Sequence, residues 1–338
     1  MKTRIILLPL TIALFAPALA QAQIVATNYA SGYFNTNDGY EAAFSIDGQP
    51  NYPNPNGWQT TDPALTPVGG TNYGATTIVQ GYDFYTVGDF STNGNNSVLF
   101  GGYFAPNSTP LKLLPGITNP SVYYNFSAPS DAGSTIFSVD FALRRPTSQG
   151  IYTNKDSFGF TLWDSFGASQ IASFMFDGMA PWTAGVSTNY GFKWFDSAGV
   201  WQSNSPSLTA TNWAIVMQTV YRLNVVMTNA GTFDVVMQTL AQQYNSNNLV
   251  TNYSIIANQT LLSGGSLGGY SLSDFSSFSI DWDLYSGNTN LPGANFMVLN
   301  QVNITSTIVP EPGTWAAALL LLAGGAYAAR RRRAAKAA

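Results

Sequence analysis

The sequence predicts an all-β protein built as an antiparallel β-sandwich or jelly roll. Between residues 23 and 305, no long segment repeats apolar residues with the helical period of 3.6. Short alternating runs occur instead, separated by Gly, Asn, Pro and Ser, and this spacing is typical of sandwiches. Charged residues make up 9% of the chain and aromatic residues 14%. A chain this apolar is not disordered, and uncharged polar residues are expected to form most of its surface.

The alternation of large apolar residues with smaller or polar ones predicts where the individual strands lie. Phe137, Val139, Phe141 and Leu143 share one face of a predicted strand, as do the large residues of 158–162. The clearest hairpin covers 221–240 and turns at Asn229-Ala230-Gly231, where glycine supplies the positive φ that a short loop needs. The remaining predicted strands are Thr76–Val79, Ser97–Phe100, Ile171–Phe176 (with a turn at Asp177-Gly178), Ser254–Leu262, Phe275–Leu284 and Asn295–Ile304. The glycine-rich run 264–269 is interpreted as a flexible hairpin loop.

The order of these strands resembles the concanavalin A-like sandwich, the LamG or legume-lectin-like type. We expect one domain over 23–306, with residues before about 130 supplying its opening strands. The Pro- and Asn-rich segment Gln49–Gly57 is expected to be a loop within it and not a linker. The resemblance rests on six segments: Phe137–Leu143, Phe158–Trp163, Ile171–Phe176, Trp213–Met227, Thr232–Leu240 and Phe296–Ile304.

The N-terminus has the features of a secretory signal. Lys2 and Arg4 precede an apolar run from Ile5 to Ala20, and Ala20-Gln21-Ala22 supplies small residues at the positions that signal peptidase recognises. We therefore expect residues 1–22 to be removed after Ala22. An uncleaved anchor is the alternative, which the short apolar run disfavours.

The C-terminus, residues 307–338, has three parts in order. Val309-Pro310-Glu311-Pro312-Gly313 precedes an apolar stretch from Trp315 to Ala329. As a helix this stretch is about 22 Å long, short against an apolar bilayer core of about 30 Å. A cluster of four arginines closes the tail and is expected to stay cytoplasmic: Arg330, Arg331, Arg332 and Arg333.

This tail resembles the PEP-CTERM sorting signal of Gram-negative bacteria that make exopolysaccharide. The resemblance implies recognition by an exosortase at Pro310, Glu311 and Pro312, a transient tether in the inner membrane, and a final location in the cell envelope or outside the cell. An ordinary C-terminal anchor is the alternative.

Composition restricts the chemistry of the predicted domain. The chain has no His and no Cys, which removes Ser-His-Asp triads, thiolate nucleophiles and disulfides. Without the predicted signal peptide and tail, six basic residues face 16 acidic ones, a net charge near −10. We therefore expect no nucleic-acid binding, because phosphates require a basic surface.

Sugar binding is the strongest functional prediction. Aromatic faces stack on sugar rings, and three tryptophans are the candidates: Trp163, Trp182 and Trp194. Trp58 and Trp201 also fall near predicted strand ends or loops, although indoles equally fill the core of a large sandwich. Trp163 is the best candidate for exposure, because it lies on the opposite strand face from Phe160 and Leu162.

Two further hypotheses concern carboxylates. The sandwich family that the chain resembles includes sugar-cleaving enzymes, whose glucanase branch carries its carboxylates on one strand as Glu-x-Asp-x-Glu or a close variant. The only two glutamates of this chain are Glu41 and Glu311, so that pattern is absent and a non-catalytic domain is expected. A diverged hydrolase or lyase using Asp281 and Asp283 is the alternative; otherwise both lie on a solvated strand face beside a core-facing Trp282.

Calcium is the only cofactor that the sequence indicates. Asp89-x-Ser91-x-Asn93-Gly94 resembles the start of a calcium loop, but its twelfth position is Phe100 where a bidentate acid is needed. A turn rich in Asn and Gly is therefore the expected structure there.

Overall fold

The computed structural model describes residues 24–31, 34, 38–40, 46–50, 56–60, 78–80, 96–101, 121–128, 132–144, 156–177, 189–202, 214–216, 219–244, 250–283, 296–308, 321–327, 329 and 332. The strands, in chain order, are β1 (Ile24–Ala30), β2 (Gln59–Thr60), β3 (Ile78–Gln80), β4 (Asn96–Gly101), β5 (Ser121–Asn125), β6 (Ala132–Arg144), β7 (Ser157–Ser165), β8 (Ser169–Asp177), β9 (Asn189–Phe195), β10 (Ala214–Val216), β11 (Val220–Thr228), β12 (Thr232–Tyr244), β13 (Val250–Ser266), β14 (Ser277–Asp283) and β15 (Phe296–Ile308). A short 3-10 turn at Leu272–Asp274 precedes β14.

The strands form two antiparallel sheets. The first has eight strands in the order β13-β12-β11-β6-β15-β4-β3, and β1 pairs with the second half of β15 beside β4. The second has seven strands in the order β10-β9-β8-β7-β14-β5-β2. The predicted antiparallel β-sandwich is therefore confirmed.

Aromatic side chains join the two sheets face to face. Phe137 of the first sheet packs against Phe278 of the second at 5.3 Å between ring centroids. Phe141 meets Phe160 at 5.4 Å in the same way. These side chains are fully buried, so apolar burial between the inner faces holds the sheets together without disulfides.

The strands follow the alternation read from the sequence. Phe158, Phe160 and Leu162 all face the core. The predicted hairpin joins β11 to β12, and Gly231 has a φ of +76° in its turn. The glycine-rich run differs from its prediction, because Gly265 continues β13: a Cβ there would lie 2.6 Å from the ring of Phe233, so only glycine allows the close approach.

Little of the predicted termini falls within the described residues. Residues 321–327 are helical with exposed side chains, and Arg332 is helical and exposed. In the parts of the chain that are described, no helix combines the length and apolarity needed to cross a membrane. The signal-cleavage residues Ala20 and Ala22, the motif Pro310-Glu311-Pro312 and the residues Arg330, Arg331 and Arg333 lie outside the described residues.

Candidate functional site

The predicted sugar-binding tryptophans separate in the structure. Trp182 lies outside the described residues. Trp194 is buried on the inner face of β9, where its ring meets that of Phe233 edge-on at 5.6 Å. A core position leaves no face for a surface sugar, so the prediction for Trp194 is wrong. Its indole N–H has no partner among the described residues, and this burial therefore carries an energetic cost.

Two other tryptophans occupy contrasting positions. Trp58 is fully buried, and its indole N–H lies 2.9 Å from the Tyr29 hydroxyl and 3.2 Å from the Tyr40 hydroxyl. Trp201 is 51% exposed and stacks beneath the Lys193 ammonium, 4.6 Å from its ring centroid. Trp58 therefore packs in the core, whereas Trp201 lies on the surface.

Trp163 begins a row of aromatic side chains on the outer face of the second sheet. It packs edge-on against Phe166, with 5.4 Å between centroids. Phe166, in the turn between β7 and β8, stacks on Tyr123 of β5 at 3.8 Å with nearly parallel rings. Each of the three side chains is partly exposed. Trp163, Phe166 and Tyr123 are called the aromatic row below.

Hydroxyl groups surround one carboxyl group beside this row. The Trp163 indole N–H donates to Ser279 Oγ at 2.9 Å. Asp281 Oδ1 accepts from Ser279 Oγ at 2.8 Å and from Ser121 Oγ at 2.7 Å, and its Oδ2 accepts from Thr161 Oγ1 at 2.5 Å. Burial raises the pKa of the Asp281 carboxyl, and the three hydroxyl hydrogen bonds oppose that rise.

This arrangement corrects one sequence-based expectation and confirms another. Asp281 is not on a freely solvated strand face, because neighbouring hydroxyls saturate its carboxyl. Asp283, on the same face, is exposed. Trp282 points into the core as predicted, where its indole N–H donates to buried Asp156 at 2.9 Å.

A cleft of about 460 Å³ opens at the edge of the sandwich, where β1, β2 and β5 meet. Its volume lies within the range of small-molecule sites, roughly 300–1,000 Å³. No charged side chain is among the seven described residues that line it, four of which carry amides. We call it the amide cleft: Asn28, Asn56, Gln59, Tyr124, Asn125, Phe126 and Ser127.

A bulge in β1 and the end of β5 determine the positions of two of these side chains, those of Asn28 and Asn125. The register of β1 against β15 shifts between Thr27 and Tyr29, so Asn28 is an unpaired bulge residue. Its Oδ1 accepts from Ser306 Oγ at 2.7 Å, which fixes the amide and leaves Nδ2 as the donor for a further partner. The strand β5 ends at Asn125, whose side chain is exposed.

Several polar groups in the amide cleft form no side-chain hydrogen bond with another described residue. Within the described part of the chain, no side-chain hydrogen bond is formed by the Asn125 amide, the Tyr124 phenol or the Ser127 hydroxyl. Burial raises the pKa of Tyr124, so this phenol is neutral over the physiological range. The cleft therefore combines neutral donors and acceptors with aromatic surface. Sequence reasoning missed it, since single amides carry no signal in an Asn-rich chain.

Metal ligands are not grouped among the described residues, where no three His, Cys, Asp or Glu side chains come together. The possible calcium loop Asp89–Gly94 lies outside the described residues. Phe100, at the position of its final ligand, is fully buried in the core.

The comparisons with known proteins find similarity in solved structures alone. No protein-family model matches the chain, and no curated protein matches it. A carbohydrate esterase from the Shiga toxin-encoding bacteriophage phi24B is 9% identical, with a TM-score of 0.37 over 79% of this chain and 98% of that one. The GH131 β-glucanase catalytic domain from Podospora anserina is 11% identical, with a TM-score of 0.34 over 63% and 73%. The Lotus tetragonolobus seed lectin is 12% identical, with a TM-score of 0.31 over 71% and 96%.

These matches carry no functional argument. The three proteins differ in activity, and identities and TM-scores this low transfer neither a ligand nor a reaction.

Proposed function

We propose that this chain is an exported, non-catalytic protein of the cell envelope or extracellular matrix whose β-sandwich binds neutral sugars in the amide cleft. The observation that carries the proposal is that the polar groups of Tyr124, Asn125 and Ser127, beside the ring of Phe126, form no side-chain hydrogen bond with the described part of the chain. Sugar hydroxyls both donate and accept, so amides and neutral hydroxyls match them. Exopolysaccharide of the producing cell is the proposed ligand in its natural setting.

A glycan array and a pull-down with labelled exopolysaccharide test this binding with the full chain. We expect retention on neutral glycans and at least a tenfold loss of affinity in Asn125→Ala. Asn229→Ala is the matched control, because Asn229 is also exposed but lies in the β11–β12 turn. No retention on any polysaccharide, or equal losses in both variants, would contradict the proposal.

Export and sorting form a separate part of the proposal. The sequence features at 1–22 and 307–338 support removal by signal peptidase, a transient membrane tether and processing by an exosortase. Deleting residues 310–338 is expected to move the protein from the envelope to the medium or periplasm. Cell fractionation measures this, and an unchanged distribution rejects the sorting function.

A polysaccharide hydrolase or lyase is the second candidate, favoured by one observation. Burial raises the pKa of Asp281, as a general acid requires, while the nearby Asp283 is exposed on the same strand face. Release of reducing ends that is lost in Asp281→Asn and in Asp283→Asn would support this candidate. Turnover that survives both changes eliminates this pair as the catalytic site.

A further inference from the structure

We propose that the amide cleft and the aromatic row form one continuous surface that binds an internal segment of a neutral polysaccharide, rather than a single terminal sugar. This inference rests on the proposed sugar binding in the cleft. It adds the length, the charge and the direction of the ligand.

Continuity comes from one shared hydrogen bond. Gln59 lines the amide cleft, and its Oε1 accepts from the hydroxyl of Tyr123. Tyr123 is the first member of the aromatic row on that side, and it stacks directly on Phe166. A ligand that leaves the cleft past Gln59 therefore meets Tyr123 and then Phe166, whose ring stacks on that of Tyr123 over the outer face of the sheet.

The two parts offer different chemistry. The cleft supplies hydrogen bonds from amides and hydroxyls. In the row, the Trp163 indole N–H already donates to Ser279 and the Tyr123 hydroxyl to Gln59, so both rings present apolar surface. Apolar ring surface suits the C–H faces of pyranose rings. One sugar unit does not use both parts, whereas a chain of several units does.

Charge restricts the ligand further. Neither the cleft-lining residues nor the aromatic row includes Lys or Arg. The nearest charged group to the row in the hydrogen-bond network is the Asp281 carboxyl, which is linked to Trp163 through Ser279. A uronic-acid polymer would bring like charge to this surface and find no counter-ion among the described residues that line the cleft and form the row. The surface therefore favours an uncharged chain.

Calorimetric titration of the full chain with matched oligosaccharides tests the inference. The probes are gluco-, manno-, galacto- and xylo-oligosaccharides of two and six units, with a hexamer of mannuronate as the acidic probe. For the neutral series that binds, we expect at least tenfold tighter binding of the hexamer than of the dimer. We expect no measurable heat with mannuronate hexamer.

Two variants separate the parts of the surface. Phe166→Ala should bring the hexamer's affinity down to that of the dimer and leave dimer binding unchanged. Asn125→Ala should weaken both. Trp201→Ala, which removes an exposed aromatic outside the row, is the control and should change neither affinity. Thermal melting of each variant shows whether its fold is intact, and Phe166→Leu replaces Phe166→Ala if the latter unfolds.

The outcomes distinguish this inference from the proposed function. Equal affinities for dimer and hexamer overturn the extended surface while leaving sugar binding in the cleft intact. Tighter binding of mannuronate than of any neutral hexamer overturns the charge restriction. Absence of binding to every probe overturns both proposals.

Discussion

Replacing Asp281 by Ala should destabilise the protein more than replacing it by Asn. In Asp281→Ala, the fully buried hydroxyl of Ser279 loses its acceptor, whereas the Thr161 hydroxyl can still donate to Ser173 Oγ at 2.9 Å. An unsatisfied buried hydroxyl costs about 1–3 kcal/mol, so we expect a loss of that size in the free energy of unfolding.

Asp281→Asn should cost less. Its remaining amide oxygen still accepts from Ser279 and Ser121, and its new NH₂ group takes the position of Oδ2 beside Thr161. The Thr161 hydroxyl then turns towards Ser173 Oγ, which lies 2.9 Å away, and accepts from the amide. We expect the change in unfolding free energy at pH 3.5 to stay within about 1 kcal/mol of zero.

The pH dependence gives an independent check. Burial raises the pKa of Asp281 in the folded protein, so the folded state holds this proton to higher pH than the unfolded chain does. The stability contribution of the carboxyl is complete below about pH 3.9 and is lost as the pH rises through the folded-state pKa. Asn does not titrate, so Asp281→Asn should gain stability relative to the wild type between pH 3.5 and pH 7.

Urea unfolding followed by tryptophan fluorescence measures all three proteins at both pH values. The other buried carboxyls titrate equally in each protein and cancel in the comparison. Equal losses for Ala and Asn would show that the hydroxyl network does not form. A difference between Asn and wild type that is independent of pH would refute the desolvation of the Asp281 carboxyl.

Two further predictions concern the core. Trp58→Phe removes the buried N–H that donates to the hydroxyls of Tyr29 and Tyr40. This substitution should lower the free energy of unfolding by about 2 kcal/mol. An unchanged urea midpoint would contradict this hydrogen-bonding role. Gly159→Ala places a Cβ in the space occupied by the backbone carbonyl of Phe174, so β7 and β8 must separate locally. A cost of about 1–3 kcal/mol is expected in the same assay, and a neutral result would mean that the two strands are not packed this closely.

The fold was predictable because alternation records which side of a strand is buried. The large residues of β6 and β7 stand on one face with smaller or polar residues between them, so the core positions follow directly from the sequence. The strand β9 lacks this contrast. Aromatic residues occupy both of its faces, with Phe192 and Trp194 on one and Phe195 on the other, and the direction of Trp194 follows only from its pairing with the core residue Phe174.

The candidate site was predictable only in part. Trp163 was placed on the outer face because its neighbours in β7 alternate cleanly. The amide cleft depends on a register shift at Asn28 and on the position where β5 ends at Asn125. These two positions are distant in the sequence, and neither the bulge nor the strand end has a residue pattern that marks it. The cleft therefore arises from strand pairing between segments that are far apart in the sequence.

The pairing of β1 with β15 controls when the domain can close. Ile24 lies opposite Ile308, so the first strand and the last strand are neighbours, and β15 fills the gap between β6 and the strands β1 and β4. During synthesis from the N-terminus, the edges of β1, β4 and β6 that pair with β15 stay unpaired until residues 296–308 have been made. These unpaired edges need protection during that interval. Once β15 is inserted, Ile24 and Ile308 lie side by side, so a tether acting through either residue holds the same end of the domain.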